Sequence, residues 1–240
     1  GCDDLNGIID FFERFYEIYI TDSGYKLMLN GLKSSLEISL LAVVLGIVLG
    51  AFIAVFKVIP RTNIFAKILN GAATVYITVI RGTPVIVQLL LSYYALLKNL
   101  FRGNQNQALF IAILVFGINS SAYVAEIIRG GILSIDRGQM EAGRSLGLNY
   151  SSTMSKIILP QAIKNILPAL GNEFIVMIKE TSVAGFITVF DLTRATRAIV
   201  SKNYTTFVPY ITLAAVYLIL VLFATFLLNL LEKRLRKSER

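Results

Sequence analysis

The chain has 240 residues, of which 55% are hydrophobic and only 16% are charged. This composition, with its long apolar runs, excludes a soluble domain and is typical of a protein that crosses a membrane several times. The net charge of +8 does not indicate nucleic-acid binding, because the basic residues cluster beside apolar runs and form no single stripe with aromatic residues. One cysteine excludes an intrachain disulfide, and without histidine no metal site is predicted.

The N-terminal segment, residues 1–26, is predicted to lie outside the cytoplasm as an amphipathic helix at the outer membrane interface. A solvated tail is the alternative. The segment lacks a basic start followed by an apolar run, so no signal peptide is expected. The apolar face of the predicted helix consists of Leu5, Ile8, Ile9, Phe12 and Phe15.

Residues 27–232 are predicted to form a transmembrane domain with five spans. In the first span, Gly46 and Gly50 form a face of small residues that suits close helix packing. The region 64–100 is too long for one span of about 20 residues and is interrupted at 81–84. We therefore expect an interfacial helix there, then a break and a span. The predicted spans are residues 32–59, 84–97, 108–129, 166–187 and 208–231.

The distribution of charge predicts the orientation of the chain. Basic residues follow the first, third and fifth spans, and cytoplasmic loops are enriched in lysine and arginine. The N-terminal segment instead carries mainly acidic residues. We therefore expect a multi-pass protein of the bacterial inner or plasma membrane, with its N-terminus outside and residues 233–240 as a basic cytoplasmic tail.

The loop of residues 130–165 carries two sequence blocks at a fixed distance. A short helix that ends before Gly147 is expected, because glycine tolerates positive φ, and Asn149, Ser151 or Ser152 can cap a second helix. Ala142 and Gly143 leave one face of the first helix almost bare, so a partner could approach closely. The blocks, separated by nine residues, are Glu141-Ala142-Gly143-Arg144-Ser145-Leu146-Gly147 and Ile157-Ile158-Leu159-Pro160.

This loop resembles the EAA signature of importer permeases of the ATP-binding-cassette class: E-A-A, three residues, G, nine residues, I, one residue, L-P. Every spacing matches, and only Gly143 departs from the pattern, which has alanine there. The resemblance implies a cytoplasmic coupling helix that docks into a groove on an ATPase subunit. A helix-turn-helix on the membrane surface without a partner is the alternative. The implied coupling residues are Glu141, Ala142, Gly143, Gly147, Leu159 and Pro160.

Three further blocks flank this loop: Arg81-Gly82-Thr83-Pro84 with Gln88, Tyr123-Val124-Ala125-Glu126-Ile127-Ile128-Arg129, and Lys179-Glu180-Thr181-Ser182. With the loop, they look like the polar amino acid subfamily of these permeases, which imports histidine, glutamine, arginine or cystine. The likeness covers roughly residues 27–232. It implies an all-α integral membrane fold with five spans, paired with a second permease copy or a homologue. It also implies two ATPase subunits, which hold ATP and Mg²⁺, and an extracytoplasmic amino-acid-binding protein. This chain itself is expected to hold no cofactor and to contact lipid and a polar amino acid substrate.

The break at residues 81–84 is the predicted substrate site. Irregular backbone at membrane depth is tolerated only beside protein or a water-filled cavity, and the guanidinium of Arg81 can hold an amino acid carboxylate through two hydrogen bonds. An interfacial anchor is the alternative role for Arg81, and a solvated outer loop is the alternative for Asp191. The candidate pathway residues are Arg81, Gly82, Thr83, Pro84, Gln88, Thr181 and Asp191.

Other charged residues have structural interpretations. Glu126 and Arg129 stand at i, i+3 near the end of the third span and are predicted to form a structural ion pair. Glu173 is expected to pair with Arg129 or Lys179.

The predicted function is the permease subunit of an ATP-driven amino acid importer. The chain has no Gly-x-x-x-x-Gly-Lys-[Ser/Thr] phosphate loop, so partner subunits must hydrolyse the ATP and the chain is not expected to be an enzyme. A self-contained secondary transporter or channel for small polar solutes is the alternative. A membrane-embedded enzyme is disfavoured, because the motifs His-Glu-x-x-His and Gly-x-Ser-x-Gly are absent from the sequence.

Overall fold

The computed structural model describes residues 2–60, 63–97, 99, 101 and 103–237, and within these ranges it is helical and contains no strand. Residues 100 and 238–240, and the side chains of Leu5 and Ile8, lie outside the described part. The helices are α1 (Cys2–Tyr16), α2 (Gly24–Val58), α3 (Ile64–Gly82), α4 (Val85–Leu91), α5 (Gln107–Leu133), α6 (Arg137–Ser145), α7 (Tyr150–Thr153), α8 (Leu159–Glu180), α9 (Leu192–Asn203) and α10 (Phe207–Lys237). Wider π-helical turns follow α1, α4 and α7, and a 3₁₀-helix, Thr181–Ile187, follows α8.

Four of the described helices are long and apolar enough to cross a membrane. They are α2, α3, α5 and α10. The predicted fourth span overlaps α8, which is 22 residues long but carries Lys164, Glu173, Lys179 and Glu180 and is therefore more polar. The all-helical membrane fold is confirmed, and the count of five spans stays a prediction.

The region around the predicted break is divided differently from our expectation. We expected an interfacial helix followed by a span, whereas α3 has 19 residues and spanning character, and the apolar helix Val85–Leu96 after the break is shorter, with seven residues in α4 and five in the π-helical turn. The prediction was wrong in this respect because α3 continues without interruption from its cap at Asn63, whose side chain accepts a hydrogen bond from the Ala66 amide at 2.8 Å. The break itself lies at the predicted place, between Gly82 and Val85.

Helices α2 and α5 form the centre of the molecule and pack through small residues. A Cβ at Gly46 would lie 2.7 Å from Ser120 Oγ, and one at Gly50 would lie 2.7 Å from Val124 Cβ. The predicted small-residue face is therefore confirmed, since no larger side chain fits without displacement. The core around this contact includes the fully buried residues Ile38, Ala42, Ile111, Ala112 and Phe116.

Helix α3 is fixed to this centre by polar contacts as well as by apolar packing. The Tyr76 hydroxyl donates to the Ile118 carbonyl at 2.9 Å and lies 2.6 Å from Ser121 Oγ. The Asn70 amide donates to the Phe56 carbonyl of α2 at 3.0 Å. These bonds position the C-terminal end of α3, and therefore the break, against α5.

The N-terminal helix α1 packs on the rest of the chain. The rings of Phe11 and Phe207 lie 6.3 Å apart in an edge-to-face arrangement, and Phe15 packs near Tyr19. Phe12 stays 63% exposed, so part of the apolar face is free to meet the membrane interface. A fully solvated tail is not what the structure shows. The following helix begins at Gly24, where a Cβ would lie 2.6 Å from the Ile18 carbonyl oxygen.

Candidate functional site: a cavity at a helix break and the loop between two short helices

The break between α3 and α4 is held by the side chain of Gln88. Thr83 and Pro84 have extended backbone, so the last carbonyls of α3 have no helical partner. Gln88 Nε2 lies within hydrogen-bonding distance of the Ile80 carbonyl at 2.8 Å, the Thr83 hydroxyl at 2.8 Å and the Thr83 carbonyl at 3.1 Å. The amide thus satisfies backbone groups that would otherwise face the membrane interior.

Gln88 also connects the break to α5. Its Oε1 accepts a hydrogen bond from Asn119 Nδ2 at 3.1 Å. We predicted that Gln88 adds neutral donors and acceptors to the substrate pathway. In the structure its amide bonds within the protein and Gln88 does not line the cavity, so a pathway role for this residue stays a prediction.

A cavity of about 770 Å³ lies directly beside the break. Four of the predicted pathway residues line it, and three of its lining residues have acidic or basic side chains: Arg81, Glu173 and Glu180. The walls come from α3, α4, α5, α8 and the 3₁₀-helix. The lining residues are Arg81, Gly82, Thr83, Pro84, Val85, Ile86, Asn119, Tyr123, Asn172, Glu173, Val176, Met177, Glu180 and Val183.

Arg81 faces the cavity at the last turn of α3. Its guanidinium carbon lies 4.9 Å from the centroid of the Tyr123 ring, which is a cation–π contact. Within the described residues, Arg81 makes no hydrogen bond and no ion pair, so its planar set of donors is free for a ligand.

Glu173 lines the cavity from α8 and is almost completely buried, with 7% of its surface exposed. Its Oε1 accepts a hydrogen bond from the Ser120 hydroxyl at 2.8 Å. The expected pairing with Arg129 or Lys179 was wrong, because Glu173 projects toward α5 at Ser120 and those two bases lie elsewhere. The sequence carried no signal for this contact, which joins residues 53 positions apart.

Thr181 and Asp191 do not line the cavity. Thr181 is fully buried and donates to the Ile178 carbonyl at 2.8 Å. Asp191 caps α9 by accepting a hydrogen bond from the Arg194 amide at 2.7 Å. These two predicted pathway residues therefore have structural contacts in the packed interior beside the cavity.

Asp191 is fully buried, so the solvated outer loop that we considered for it was wrong. It lies in the connection before α9, outside the spanning helices. Burial raises the pKa of its carboxyl to about 6, although hydrogen bonds from the backbone of Arg194 and Gly185 oppose the rise. Its Oδ2 has no hydrogen-bond partner among the described residues.

A second candidate site is the loop of α6 and α7. Asp136 begins α6 by accepting from the Gly138 amide at 2.7 Å, and Gly147 adopts a φ of +83° after the helix ends. Asn149 caps α7 by accepting from the Ser152 amide at 2.8 Å. The predicted glycine stop and asparagine cap are therefore present.

Gly143 faces the inside of this loop. It is buried, and a Cβ at this position would lie 2.6 Å from Thr153 Cγ2 and 3.1 Å from Ile157 Cδ1. Our expectation that Gly143 presents a bare face to a partner was wrong, because α7 and the turn after it already cover that face. The departure from alanine at this position is explained by the close packing of the loop on itself.

The outer surface of the loop is available to a partner. Glu141 and Ala142 are exposed, and Leu146 at the end of α6 is 82% exposed. Leu159 and Pro160 begin α8, where proline needs no amide donor. The sequence analysis did not predict that Leu146, an apolar residue at the end of α6, would be exposed to this extent.

The base of α5 carries the ion pair expected from its sequence spacing. Arg129 Nη2 lies 2.7 Å from Glu126 Oε2, and Arg129 Nε donates to the same oxygen at 3.0 Å. Both residues are half-buried four to seven residues before the end of α5. The pair therefore stiffens the turn that leads into α6.

The family model for the binding-protein-dependent transport system inner membrane component matches residues 29–237. The chain belongs to this family. The resemblance that the loop motif and its flanking blocks predicted is thereby confirmed.

Among curated proteins, the glutamine transport system permease protein of Escherichia coli (strain K12) is 41% identical over 169 residues, which cover 70% of this chain and 77% of that protein. The arginine transport system permease protein of Bacillus subtilis (strain 168) is 38% identical over 167 residues, covering 70% and 75%.

Among solved structures, the crystal structure of an amino acid ABC transporter with histidines is 46% identical, covers 90% of this chain and 98% of the other, and has a TM-score of 0.80. An inward-facing MetNI methionine ABC transporter is 20% identical with a TM-score of 0.74, and it covers 87% and 96%. That second likeness shows the fold alone.

As a family member, this chain is the membrane component of an importer and not its ATPase. ATP hydrolysis is carried by separate subunits in this family. The two alternative functions, a self-contained secondary transporter or channel and a membrane-embedded enzyme, are therefore set aside.

Proposed function

We propose that this permease subunit conducts a polar amino acid through the cavity beside the 81–84 break. One observation carries the proposal: an arginine of α3 with free donors and a buried glutamate of α8 line the same cavity. A zwitterionic amino acid needs a cationic partner for its carboxylate and an anionic partner for its ammonium group. Two relatives are permeases of glutamine and arginine transport systems, and the similar solved structure is an amino acid ABC transporter with histidines. These likenesses support an amino acid as the substrate.

Arg81 holds the α-carboxylate in this proposal. Its guanidinium presents two parallel N–H donors that match the two oxygens of a carboxylate. Stacking on Tyr123 restricts the orientation of the guanidinium, so less conformational entropy is lost on binding. Glu173 then receives the α-ammonium group through the carboxylate oxygen that Ser120 does not occupy.

The proposed assembly contains two copies of this permease, or one copy and a homologue, with two ATPase subunits and an extracytoplasmic binding protein. The exposed side of α6, with Glu141, Ala142 and Leu146, supports docking of an ATPase subunit there. No residue in the most apolar window of α10 is buried, which suits contact with lipid or with the second permease copy. The N-terminus lies outside the cell and the C-terminus lies inside in this arrangement.

The substrate role of Arg81 is tested in proteoliposomes that contain the complete complex. Arg81→Ala should abolish uptake while basal ATP hydrolysis persists, and Arg81→Lys should also impair uptake because an ammonium cannot bind a carboxylate bidentately. Arg14→Ala is the matched control, since Arg14 is an exposed arginine on α1 that pairs with Asp10. Unchanged apparent affinity in Arg81→Ala would make Arg81 an interfacial anchor.

The coupling role of the α6 loop is tested by Glu141→Lys. The reversed charge should release the ATPase subunit or separate hydrolysis from uptake, while the permease itself stays folded. Glu13→Lys is the matched control, because it reverses an exposed charge on the N-terminal helix α1, outside the α6–α7 loop. Full substrate-stimulated uptake by Glu141→Lys would exclude a coupling role for this side chain.

A further inference from the structure

We infer that Asp191 and Tyr217 form part of a buried binding site for one sodium ion. Asp191 is the N-cap of α9 and Tyr217 lies in α10, and neither residue lines the cavity beside the break. The site lies in the packed interior where α9 meets α2, the 3₁₀-helix and α10. It is therefore independent of the proposed function.

Asp191 is enclosed by neighbouring backbone, but only one of its carboxylate oxygens is used. Oδ1 caps α9 by accepting from the Arg194 amide at 2.7 Å. A Cβ at Gly185 would lie 2.8 Å from this oxygen, and one at Gly31 of α2 would lie 2.7 Å from the Asp191 carbonyl oxygen. Oδ2 is equally buried and has no hydrogen-bond partner among the described residues. This oxygen is therefore available to a ligand.

The hydroxyl of Tyr217 is a second buried oxygen without a hydrogen-bond partner in the part of the chain that the structure describes. Tyr217 packs on the apolar cluster that contains Leu192, the residue after Asp191. Its hydroxyl is close enough to Asp191 for the two groups to interact electrostatically. Because buried polar atoms nearly always have a partner, two unsatisfied oxygens in one place indicate a group that binds both.

Further hydroxyl groups surround the Tyr217 oxygen and offer lone pairs. Ser35 Oγ on α2 is buried and accepts from the Leu192 amide at 3.3 Å. Thr181 Oγ1 uses its proton in the bond to the Ile178 carbonyl, so lone pairs of this oxygen remain available. Carboxylate and hydroxyl oxygens are the ligands that hard cations prefer. The hydroxyl groups near Tyr217 are those of Ser35, Thr181 and Thr193.

The carboxylate of Asp191 lacks a direct counter-charge. Its pKa of about 6 leaves it ionised at pH 7, and among the described residues it forms no ion pair. The side chain of Arg194 donates to the Thr188 carbonyl instead. Arg197 acts on the carboxylate only from a distance, because its guanidinium stacks on the Phe186 ring with 4.9 Å between them. A buried charge without a partner is strongly unfavourable, so a bound cation would stabilise the native state.

A single carboxylate indicates a monovalent ion. Calcium sites usually contain several carboxylates, and the described residues contain no group of three acidic, cysteine or histidine side chains that could hold a metal. Ser35, Thr181 and Asp191 are at most 1% exposed, so a small ion such as sodium fits better than a large one. A site made of oxygen atoms needs no histidine, and the composition therefore did not reveal it.

The test compares the Tm of the complete permease–ATPase complex in nanodiscs at pH 7 in sodium chloride and in choline chloride. Both salts are used at about 0.15 M, so that screening is equal, and choline is too large for a buried site. Sodium should raise the Tm of the wild type by about 2–4 °C, because it binds the native state alone. Asp191→Asn should abolish this difference, and Tyr217→Phe should reduce it to roughly half or less, since one ligand is lost.

Two features make the comparison specific. Asp136→Asn is the matched control, because Asp136 caps α6 in the same way but is exposed, and it should keep the full difference between the salts. Tyr217→Phe keeps the ring in the apolar cluster, so it carries the comparison if Asp191→Asn does not assemble. Equilibrium dialysis with radioactive sodium measures binding directly and should show one ion for each permease chain in the wild type.

Equal Tm values of the wild type in the two salts would overturn the assignment of this site. A sodium effect that persists undiminished in Asp191→Asn or in Tyr217→Phe would place the ion elsewhere and overturn it as well. None of these outcomes depends on transport by Arg81→Ala, so the sodium site and the substrate site are tested separately.

Discussion

The backbone of Gly143 lies so close to Thr153 that a Cβ would approach the threonine Cγ2 to 2.6 Å. Gly143→Ala should therefore destabilise the α6–α7 loop by about 1–3 kcal/mol, the usual cost of overpacking. Adding Thr153→Ser removes Cγ2 but keeps the hydroxyl that bonds to the Asn149 carbonyl at 3.0 Å, so it should restore most of the loss. Thermal unfolding of the complex in nanodiscs measures both effects.

The control for this pair is Gly130→Ala. Gly130 lies in α5 with no atom within 4 Å of a Cβ at that position, so alanine there should be neutral or slightly stabilising. If Gly143→Ala behaves like Gly130→Ala, the α6–α7 contact is looser than the structure shows.

Gln88→Leu should lower the stability of the complex. The substitution leaves the Ile80 carbonyl and the Asn119 amide without their partner, and each unsatisfied buried group costs roughly 1–3 kcal/mol. The Tm should fall by several degrees. Gln161→Leu is the control, because the Gln161 amide bonds to the Ile157 carbonyl at an exposed position of α8. Equal Tm values for the two variants would contradict the role of Gln88 at the break.

Asp191 should make stability depend on pH in a predictable direction. Its native pKa of about 6 lies above the ordinary value of 3.8, so the native state favours the protonated carboxyl. The associated stabilisation is fully present below pH 3.8 and is lost as the pH rises through 6. Relative to Asp191→Asn, the wild type should gain up to about 3 kcal/mol between pH 7 and pH 4.

The measurement is the Tm of wild type and Asp191→Asn across that pH range. Asp136→Asn serves as the control, since Asp136 caps α6 in the same way but is exposed. A constant Tm difference between wild type and Asp191→Asn would show that Asp191 does not titrate in this range.

The orientation of the chain is tested with single cysteines after Cys2→Ser. Tyr204 is 94% exposed after α9, on the side predicted to face outward, whereas the exposed Ser145 lies in the α6–α7 loop, which is predicted to face the cytoplasm. In intact cells, a membrane-impermeant maleimide should label Tyr204→Cys and should reach Ser145→Cys only after permeabilisation. The reverse pattern would require the opposite orientation.

Features set by neighbouring residues could be predicted from the sequence. The positive φ at Gly147, the Asn149 cap and the Glu126–Arg129 pair each depend on positions within a few residues of one another. Helix geometry alone determines these contacts.

Contacts between distant parts of the chain could not be predicted in this way. The face of α6 that carries Gly143 and the partner of Glu173 depend on how helices pack, and one sequence does not specify that packing. Asp191 illustrates the same limit, because its burial results from the packing of the 3₁₀-helix and α9 around it. A charged residue between two predicted spans would ordinarily be placed in water.

The contact of Gly46 and Gly50 with Ser120 and Val124 has a mechanical consequence. Backbones that approach this closely cannot slide or rotate past each other without collision, so we expect α2 and α5 to move together in any rearrangement of the subunit. The extended backbone at Thr83 and Pro84 lacks such interlocking and lies beside the cavity. We therefore expect this segment to bend before α2 and α5 separate, and the hydrogen bonds of Gln88 across the break to oppose that bending.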